Sequence, residues 1–366
     1  MPVTVVVGGQ YGSEGKGKIC AHLALTDRVD FMVRCGGPNS GHTVDVRGER
    51  YELKQVPSGF VNPETRLLVA AGALVNPRIF MEEVEQCGLS PGRVGIDENA
   101  AVIEEADITT EQTLDLRGRL GSTGTGVGAA VGRRVLREGD FRQAKDHPDL
   151  APFTTSVREE LASATRMGSN IVVEGTQGFG LSLYHARKWP YRTSRDTTAH
   201  SFLGEVGLGV RDFDVVMAIR TFPIRVAGDS GPLEHEVTWE DVQTLSGYPV
   251  AISEYTTTTK RLRRVARFDW GIVEEAIRAN APTQLALHGA DYIDFKNRSV
   301  SCYDNLTPSA RAFIEEIETR TAVPVSFIGT GPTNEDIIDK RAVCQIPTLD
   351  THVSHPHPRL ASSVVG

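Results

Sequence analysis

Residues Gly8 to Lys18 read GGQYGSEGKGK, five glycines and two lysines within eleven positions. Glycines at this density let the backbone turn tightly and aim successive N–H groups inward, and a following helix presents its positive end to an anion. The stretch reads as a phosphate cradle, with a tight structural turn as the alternative. It departs from the strict P-loop: Lys16 is followed by Gly17 rather than Ser or Thr, and the glycine spacing is one residue longer. Ser13 places a hydroxyl, not a carboxylate, in the middle of the loop. Further along, His42 in NSGHT offers an imidazole that can exchange a proton near neutrality, or can serve a structural role. The run Thr256 to Arg264, TTTTKRLRR, sets Lys260, Arg261, Arg263 and Arg264 behind four threonines. Such a run suits a nucleic-acid patch, a solvated face, or a site whose guanidinium forks and hydroxyls grip carboxylates.

These residues need elements to hold them. Val3 to Val7 is a β-branched run that stops at Gly8-Gly9, and Lys16 to Leu25 has helical spacing, so the order is strand, glycine loop, helix. Further strand-like runs are Phe31 to Arg34, Arg66 to Ala70, Ile171 to Glu174, Val215 to Arg220, Gln284 to Leu287 and Val323 to Phe327. Helical segments such as Pro77 to Gln86 and Gly271 to Ala279 separate them. The alternation predicts an α/β fold with a largely parallel central sheet flanked by helices, whose ligands bind at the carboxyl ends of the strands. No internal repeat or composition break divides the chain, so residues 1–340 read as one domain. Residues 341–366, rich in Pro, Ser and His, read as a surface-wrapped tail whose three histidines are inert or, alternatively, bind metal.

Of 366 residues, 40% are hydrophobic and 23% charged, enough to bury a large core, and the net charge of −8 argues against a protein that coats nucleic acid or anionic lipid. Five scattered cysteines form no CxxC pair, and no apolar run approaches a membrane span. A cytoplasmic protein with no membrane or nucleic-acid partner is expected.

Several stretches together resemble the adenylosuccinate synthetases. The glycine loop is similar to that family's GxQWGDEGKGK, and VRCGGPNSGHT (Val33 to Thr43) to its VRxxGGxNAGHT. GSTGTGVG (Gly121 to Gly128), LREGD (Leu136 to Asp140), EGTQG (Glu174 to Gly178), PYRTSRDTTA (Pro190 to Ala199), EYTTTTKRLRR (Glu254 to Arg264) and GTGP (Gly329 to Pro332) follow in the family's order. The length resembles the family's short form. The resemblance implies a ligase: a nucleoside triphosphate phosphorylates the 6-oxygen of a purine nucleotide, and the amine of L-aspartate then displaces phosphate at C6.

Residue by residue, the resemblance implies catalytic roles for Ser13, His42 and Lys16. It implies donor-nucleotide contacts from Gly12, Gly15, Lys16, Gly17, Thr43, Asp291, Gly329, Gly331 and Pro332. The acceptor nucleotide would meet Ser13, Asn39, Ser122, Thr123, Gln177, Thr193 and Val226, with Arg134 reaching the substrate phosphate of a second subunit in a homodimer. Thr258, Thr259, Arg261 and Arg263 would bind aspartate, and Ser13 with Gly41 would hold Mg2+.

Two positions depart from the family pattern. Ser13 stands where the family has an aspartate that takes the N1 proton and touches magnesium; a serine hydroxyl is too weakly basic for that task. Its smaller side chain leaves room beside C2 for an exocyclic amine. A phage-associated branch, the 2-aminoadenylosuccinate synthetases, is similar in its short length and in this serine, and it uses dGMP. The expected acceptor is therefore dGMP, with IMP as the alternative and a degenerate nucleotide-binding protein as a third reading. In ALHGADYID (Ala286 to Asp294), aligned on the family's ALTKLDVLD, Gly289 replaces a lysine that helps read the guanine of GTP while Asp291 remains. ATP or dATP is the expected donor, GTP the alternative.

Overall fold

The computed structural model describes residues 2–46, 48–256 and 260–341. Ten strands build the central sheet: β1 (Val3–Gly8), β2 (Phe31–Arg34), β3 (Arg66–Val69), β4 (Val94–Asp97), β5 (Thr154–Thr155), β6 (Ile171–Glu174), β7 (Asp214–Arg220), β8 (Gln284–His288), β9 (Val325–Gly329) and β10 (Ile337–Asp339). Their order is β10-β9-β8-β7-β1-β6-β2-β3-β4-β5, parallel throughout except for β10, which runs antiparallel to β9 at one edge.

The central strands are buried on both faces, which is why they read as continuous apolar runs rather than alternating ones. Val5 and Val7 of β1 join a core with Leu161, Phe202 and Ile272. Val6, pointing the other way, joins a second core with Ile19, Met32 and Phe80. The strands expected from sequence are present with small shifts at their ends. The run expected at Val323 to Phe327 begins instead at Val325 and continues to Gly329. Ala322 takes a left-handed φ of 56° to close the helix Pro308–Thr321, so Val323 and Pro324 are spent turning the chain back to the sheet.

Strand β1 lies between β6 and β7, and the chain departs to both sides of it. The carboxyl ends of these three strands therefore open a crevice of the kind in which α/β sheets bind ligands. Around it stand an antiparallel hairpin, His42–Val46 with Glu49–Leu53, and a small sheet of Ile224–Arg225, Arg264–Ala266 and Glu236–Val237. Helices Glu105–Thr113, Leu116–Leu120 and Val127–Leu136 form a third wall. Among the described residues no helix is long and apolar enough to cross a membrane. Of the expected tail only Arg341 is described, pairing with Asp27 and Asp339; 342–366 lie outside the described residues.

Phe202 is fully buried, and a Cβ on Gly175, at the end of β6, would come within 2.5 Å of its ring. Phe202→Ala should cost about 3–5 kcal/mol of stability, read as a lowered urea midpoint with the slope unchanged.

Candidate active site

A cavity of about 870 Å³ occupies the crevice. Its floor is the glycine loop, and the loop is shaped around one carboxylate. Glu14 is fully buried; its Oε1 accepts hydrogen bonds from the N–H of Gln10 (3.1 Å) and of Gly12 (2.7 Å), and its Oε2 accepts from Lys16 Nζ (2.7 Å). A Cβ on Gly8 or Gly178 would lie 2.5 or 2.3 Å from that carboxylate, so both glycines are needed to admit it. The N–H groups of Gln10 and Gly12 are thus not free for a ligand, which corrects the expectation that the whole loop points its donors inward. What remains is the first turn of helix α1 (Lys16–Thr26). Its N-cap, Gly15, has φ 87° and offers no side-chain cap, leaving the orphan N–H groups of the turn facing the cavity floor.

The loop is anchored to β7 through Gln10 and Arg220. Gln10 Nε2 donates to the Arg220 carbonyl (3.1 Å), and Arg220 N–H donates to Gln10 Oε1 (2.9 Å). Arg220 Nη1 in turn donates to the backbone carbonyl of Ser13 (3.1 Å), while the guanidinium is paired with Glu254. Ser13 is held at φ 61° with its side chain exposed to the cavity. Asp and Asn tolerate this left-handed region better than Ser does, so the backbone gives no reason for the serine.

His42 begins the hairpin above α1, where a Cβ on Gly17 would come 2.9 Å from the His42 Cβ. Both imidazole nitrogens are buried, and among the described residues neither makes a well-formed hydrogen bond, the Val56 backbone being only a weak polar neighbour. Burial, and then the Arg34 guanidinium, hold the imidazole well below its ordinary pKa, so His42 is neutral at pH 7. Arg34, at the end of β2, is paired with Glu174 at the end of β6, and its Nη2 donates to the Ser40 carbonyl (2.6 Å). Glu174 also accepts from Ser58 N–H (2.8 Å) and Ser58 Oγ (2.9 Å). This network fixes the turn that carries Asn39, Gly41 and His42.

Gln177, at φ 61°, packs beside Gly12, and its Oε1 is buried without a partner among the described residues. Ser122, Thr123, Thr193 and Val226 line the same cavity. Arg261 and Arg263 line its rim; Arg263 Nε donates to the Tyr255 carbonyl (3.1 Å), and Lys260 pairs with Glu52 of the hairpin. The expected Thr258 and Thr259 lie outside the described residues.

At the far end, Lys18 Nζ donates to the carbonyls of Gly331 and Asp336, both at 2.8 Å, tying α1 to the Gly331-Pro332 turn. Gly289, at φ 84°, has its Cβ position 2.6 Å from Thr221 Oγ1, so a lysine there would be strained. Asp291 is buried beside Tyr248 and Arg298.

Most of the residues singled out from sequence therefore meet in one cavity, including Gly12, Lys16, Thr43, Asp291 and Pro332. Two do not. Gly329 is not in the lining; it sits behind His288, whose Nδ1 would be 2.3 Å from a Cβ at that glycine. Arg134 also lies outside it, with Nη1 donating to the Ala71 carbonyl (3.1 Å) and Nη2 to the Asn99 carbonyl (3.4 Å). Sequence reasoning passed over Arg220, Glu254, Arg225 and His288, all in the lining. Two of them had a local signal: His288 beside Gly289 in the departing motif, and Glu254 at the head of EYTTTTKRLRR.

The chain matches the family model "Adenylosuccinate synthetase" over residues 5–149 and 140–302. The adenylosuccinate synthetase of Pyrococcus horikoshii is 43% identical over 346 residues, covering 93% of this chain and 99% of that one. The Archaeoglobus fulgidus enzyme is 40% identical over 344 residues, with coverage of 93% and 99%. The fully ligated adenylosuccinate synthetase of Plasmodium falciparum shares the fold at TM-score 0.81 and 19% identity, covering 93% of this chain and 100% of its own. Cyanophage S-2L succinoaminodeoxyadenylate synthetase, bound to dGMP and to dATP as an energy donor, aligns at TM-score 0.76 and 27% identity, with coverage of 92% and 95%. Fold and family together define a ligase that forms a C–N bond. The chain belongs to the adenylosuccinate synthetase family.

Burial pushes the Lys18 ammonium down to about 8. An anion bound at this end favours the charged form, so above pH 8 binding must take up a proton. Affinity for a nucleoside triphosphate should fall about fivefold between pH 8 and 9, approaching about tenfold per unit only above that range. Calorimetry in buffers of different ionisation enthalpy would report the proton, and Lys18→Met should abolish the slope.

Proposed function

We propose that this enzyme joins L-aspartate to C6 of dGMP, with ATP or dATP as phosphoryl donor, giving an N6-succinylated 2-aminoadenine deoxynucleotide. The observation that carries the reading is Ser13: a short neutral side chain, open to the cavity, where the family's pattern has a carboxylate. The neighbouring Gln177 Oε1 is a buried acceptor awaiting a donor. Guanine brings N1–H and a C2 amine to that edge, one donor more than hypoxanthine. The cyanophage relative bound to dGMP and dATP supports the same choice.

In this scheme the triphosphate lies over the first turn of α1, with Lys16, Gly17 and Thr43 against its phosphates. The 6-oxygen attacks the γ-phosphorus, the P–O bond to the leaving diphosphate breaks, and the N1 proton passes to water in the open cavity, since Ser13 is too weakly basic to hold it. His42, neutral and with one ring N–H, can donate a hydrogen bond to the 6-oxygen or the transferred phosphoryl group. Asn39, Ser122, Thr123, Thr193 and Val226 position the acceptor. Arg261 and Arg263 hold the aspartate carboxylates while its amine attacks C6 and phosphate departs. Ser13 Oγ and the Gly41 carbonyl are hard oxygen ligands suited to Mg2+, which takes most of its remaining ligands from phosphates and water. Bound there, the ion would neutralise charge on the phosphates. Cys20, Cys35 and Cys87 are free thiols, which suits a reducing cytoplasm.

Use of IMP and GTP is the second reading, favoured by the names of the archaeal relatives that are about 40% identical. Incubation with aspartate, Mg2+, ATP or GTP, and either dGMP or IMP, followed by chromatography, separates the two. Coupled product from dGMP is expected, and product from IMP alone would overturn the proposal. Ser13→Asp should lower kcat/KM for dGMP at least about tenfold, a loss of about 1.4 kcal/mol of transition-state stabilisation, and raise turnover of IMP.

Arg134, outside its own cavity, is proposed to complete the site of a second copy in a homodimer. Arg134→Ala and His42→Ala should each be inactive alone, and mixing them after subunit exchange should restore partial activity.

A further inference from the structure

At the Asp291 end of the cavity, one oxygen of a buried acid is already engaged by its neighbours. Asp291 Oδ2 accepts a hydrogen bond from the Tyr248 hydroxyl, and Arg298 Nη1 stands 3.5 Å from the same oxygen. Arg298 Nη1 also donates to the Tyr248 hydroxyl at 2.7 Å, closing a triangle of three side chains. Tyr248 is fixed in turn by its ring packing on Phe295 (4.7 Å between centroids) and Tyr292 (5.9 Å). Asp291 and Tyr248 are buried, whereas Arg298 remains partly exposed and lines the cavity.

A carboxylate reads guanine by accepting from N1–H and the C2 amine together, one oxygen to each. With Oδ2 occupied by Tyr248 and Arg298, Asp291 cannot make that paired contact, and a guanine would leave one donor unpaired in a buried place. Gly289 removes the other half of the reader, since its left-handed backbone and the nearby Thr221 Oγ1 exclude a longer side chain. An adenine edge has different needs. Its 6-amine requires one acceptor, which the remaining Asp291 oxygen can supply, and its N1 requires one donor, which the cavity-facing Arg298 guanidinium can supply.

We propose that Tyr248 and Arg298 are the residues that set donor-base choice: by occupying one oxygen of Asp291 they turn a guanine reader into a site for a 6-aminopurine triphosphate. Tyr248 acts through Asp291 and is a positioning residue, whereas Arg298 meets the base. The inference rests on the proposed use of ATP or dATP, and it is independent of whether the acceptor is dGMP or IMP.

The test is the ratio of kcat/KM for ATP to that for GTP, measured with the full-length enzyme, aspartate, Mg2+ and whichever acceptor it turns over. Tyr248→Phe frees the Asp291 oxygen while keeping the ring packing; the ratio should fall about tenfold or more, mainly by a gain with GTP. Arg298→Gln should lower the same ratio mainly by a loss with ATP. Equilibrium binding of ATPγS and GTPγS by each variant gives the same comparison without turnover, and unchanged melting temperatures would show that folding is intact. A wild-type preference for GTP would overturn both the donor assignment and this inference. A wild-type preference for ATP, with ratios unmoved in both folded variants, would overturn this inference alone.

Discussion

The buried carboxylate of Glu14 is the constraint on which the site is built. It carries a charge in the interior, where an unpaired ion is prohibitive, and it is tolerated because two backbone N–H groups and the Lys16 ammonium surround it. Gly8 and Gly178, from different strand ends, lack the Cβ atoms that would displace it. Satisfying this one group gives the loop its path, orients Lys16, and leaves the uncapped turn of α1 as the place where an anion is welcome. Removing Glu14 would release the loop N–H groups but lose the shape that makes the phosphate cradle.

The rest of the cavity follows from pairing charges at strand ends so that few are left free. Arg34 is paired with Glu174 at neighbouring strand ends, and Arg220, at the end of β7, with Glu254 of the loop that runs into Tyr255. These pairs hold the His42 turn and Ser13 without presenting strong charges of their own. His42, buried next to Arg34, is thereby kept neutral, and so is His288, desolvated beside Lys18, Arg220 and Lys16. Lys16, Lys18 and the first turn of α1 thus make the cavity floor electropositive, while the two imidazoles are neutral hydrogen-bonding groups.

Much of this was legible in the chain. The β-branched runs and the glycine punctuation between strand and helix are short-range signals, and they placed seven strands of the sheet, α1 and the loop with errors of one or two residues, while β4, β5 and β10 were not anticipated. The motifs were legible because each packs several contacts into a few consecutive positions, as NSGHT and GSTGTGVG do. The partners of those motifs were not. Arg220 touches Ser13 across 207 residues, and Gln10 is bound to the same arginine across 210. No local pattern marks such an arginine as different from one on a surface, since its role comes from the strand order that brings β7 beside β1.

Sequence alone therefore determined the class of fold, the glycine loop and the chemical types gathered around it, including the hydroxyl at Ser13 and the missing lysine at Gly289. Periodicity and turn chemistry are properties of neighbouring residues, and they survive being read in one dimension. Tertiary structure alone decided which of those groups are free to act. It engaged the N–H groups of Gln10 and Gly12 with Glu14, withdrew the charge from His42, and occupied one oxygen of Asp291 with a tyrosine 43 residues away. The reason is that burial and hydrogen-bond saturation depend on what is adjacent in space, which strand order and packing set.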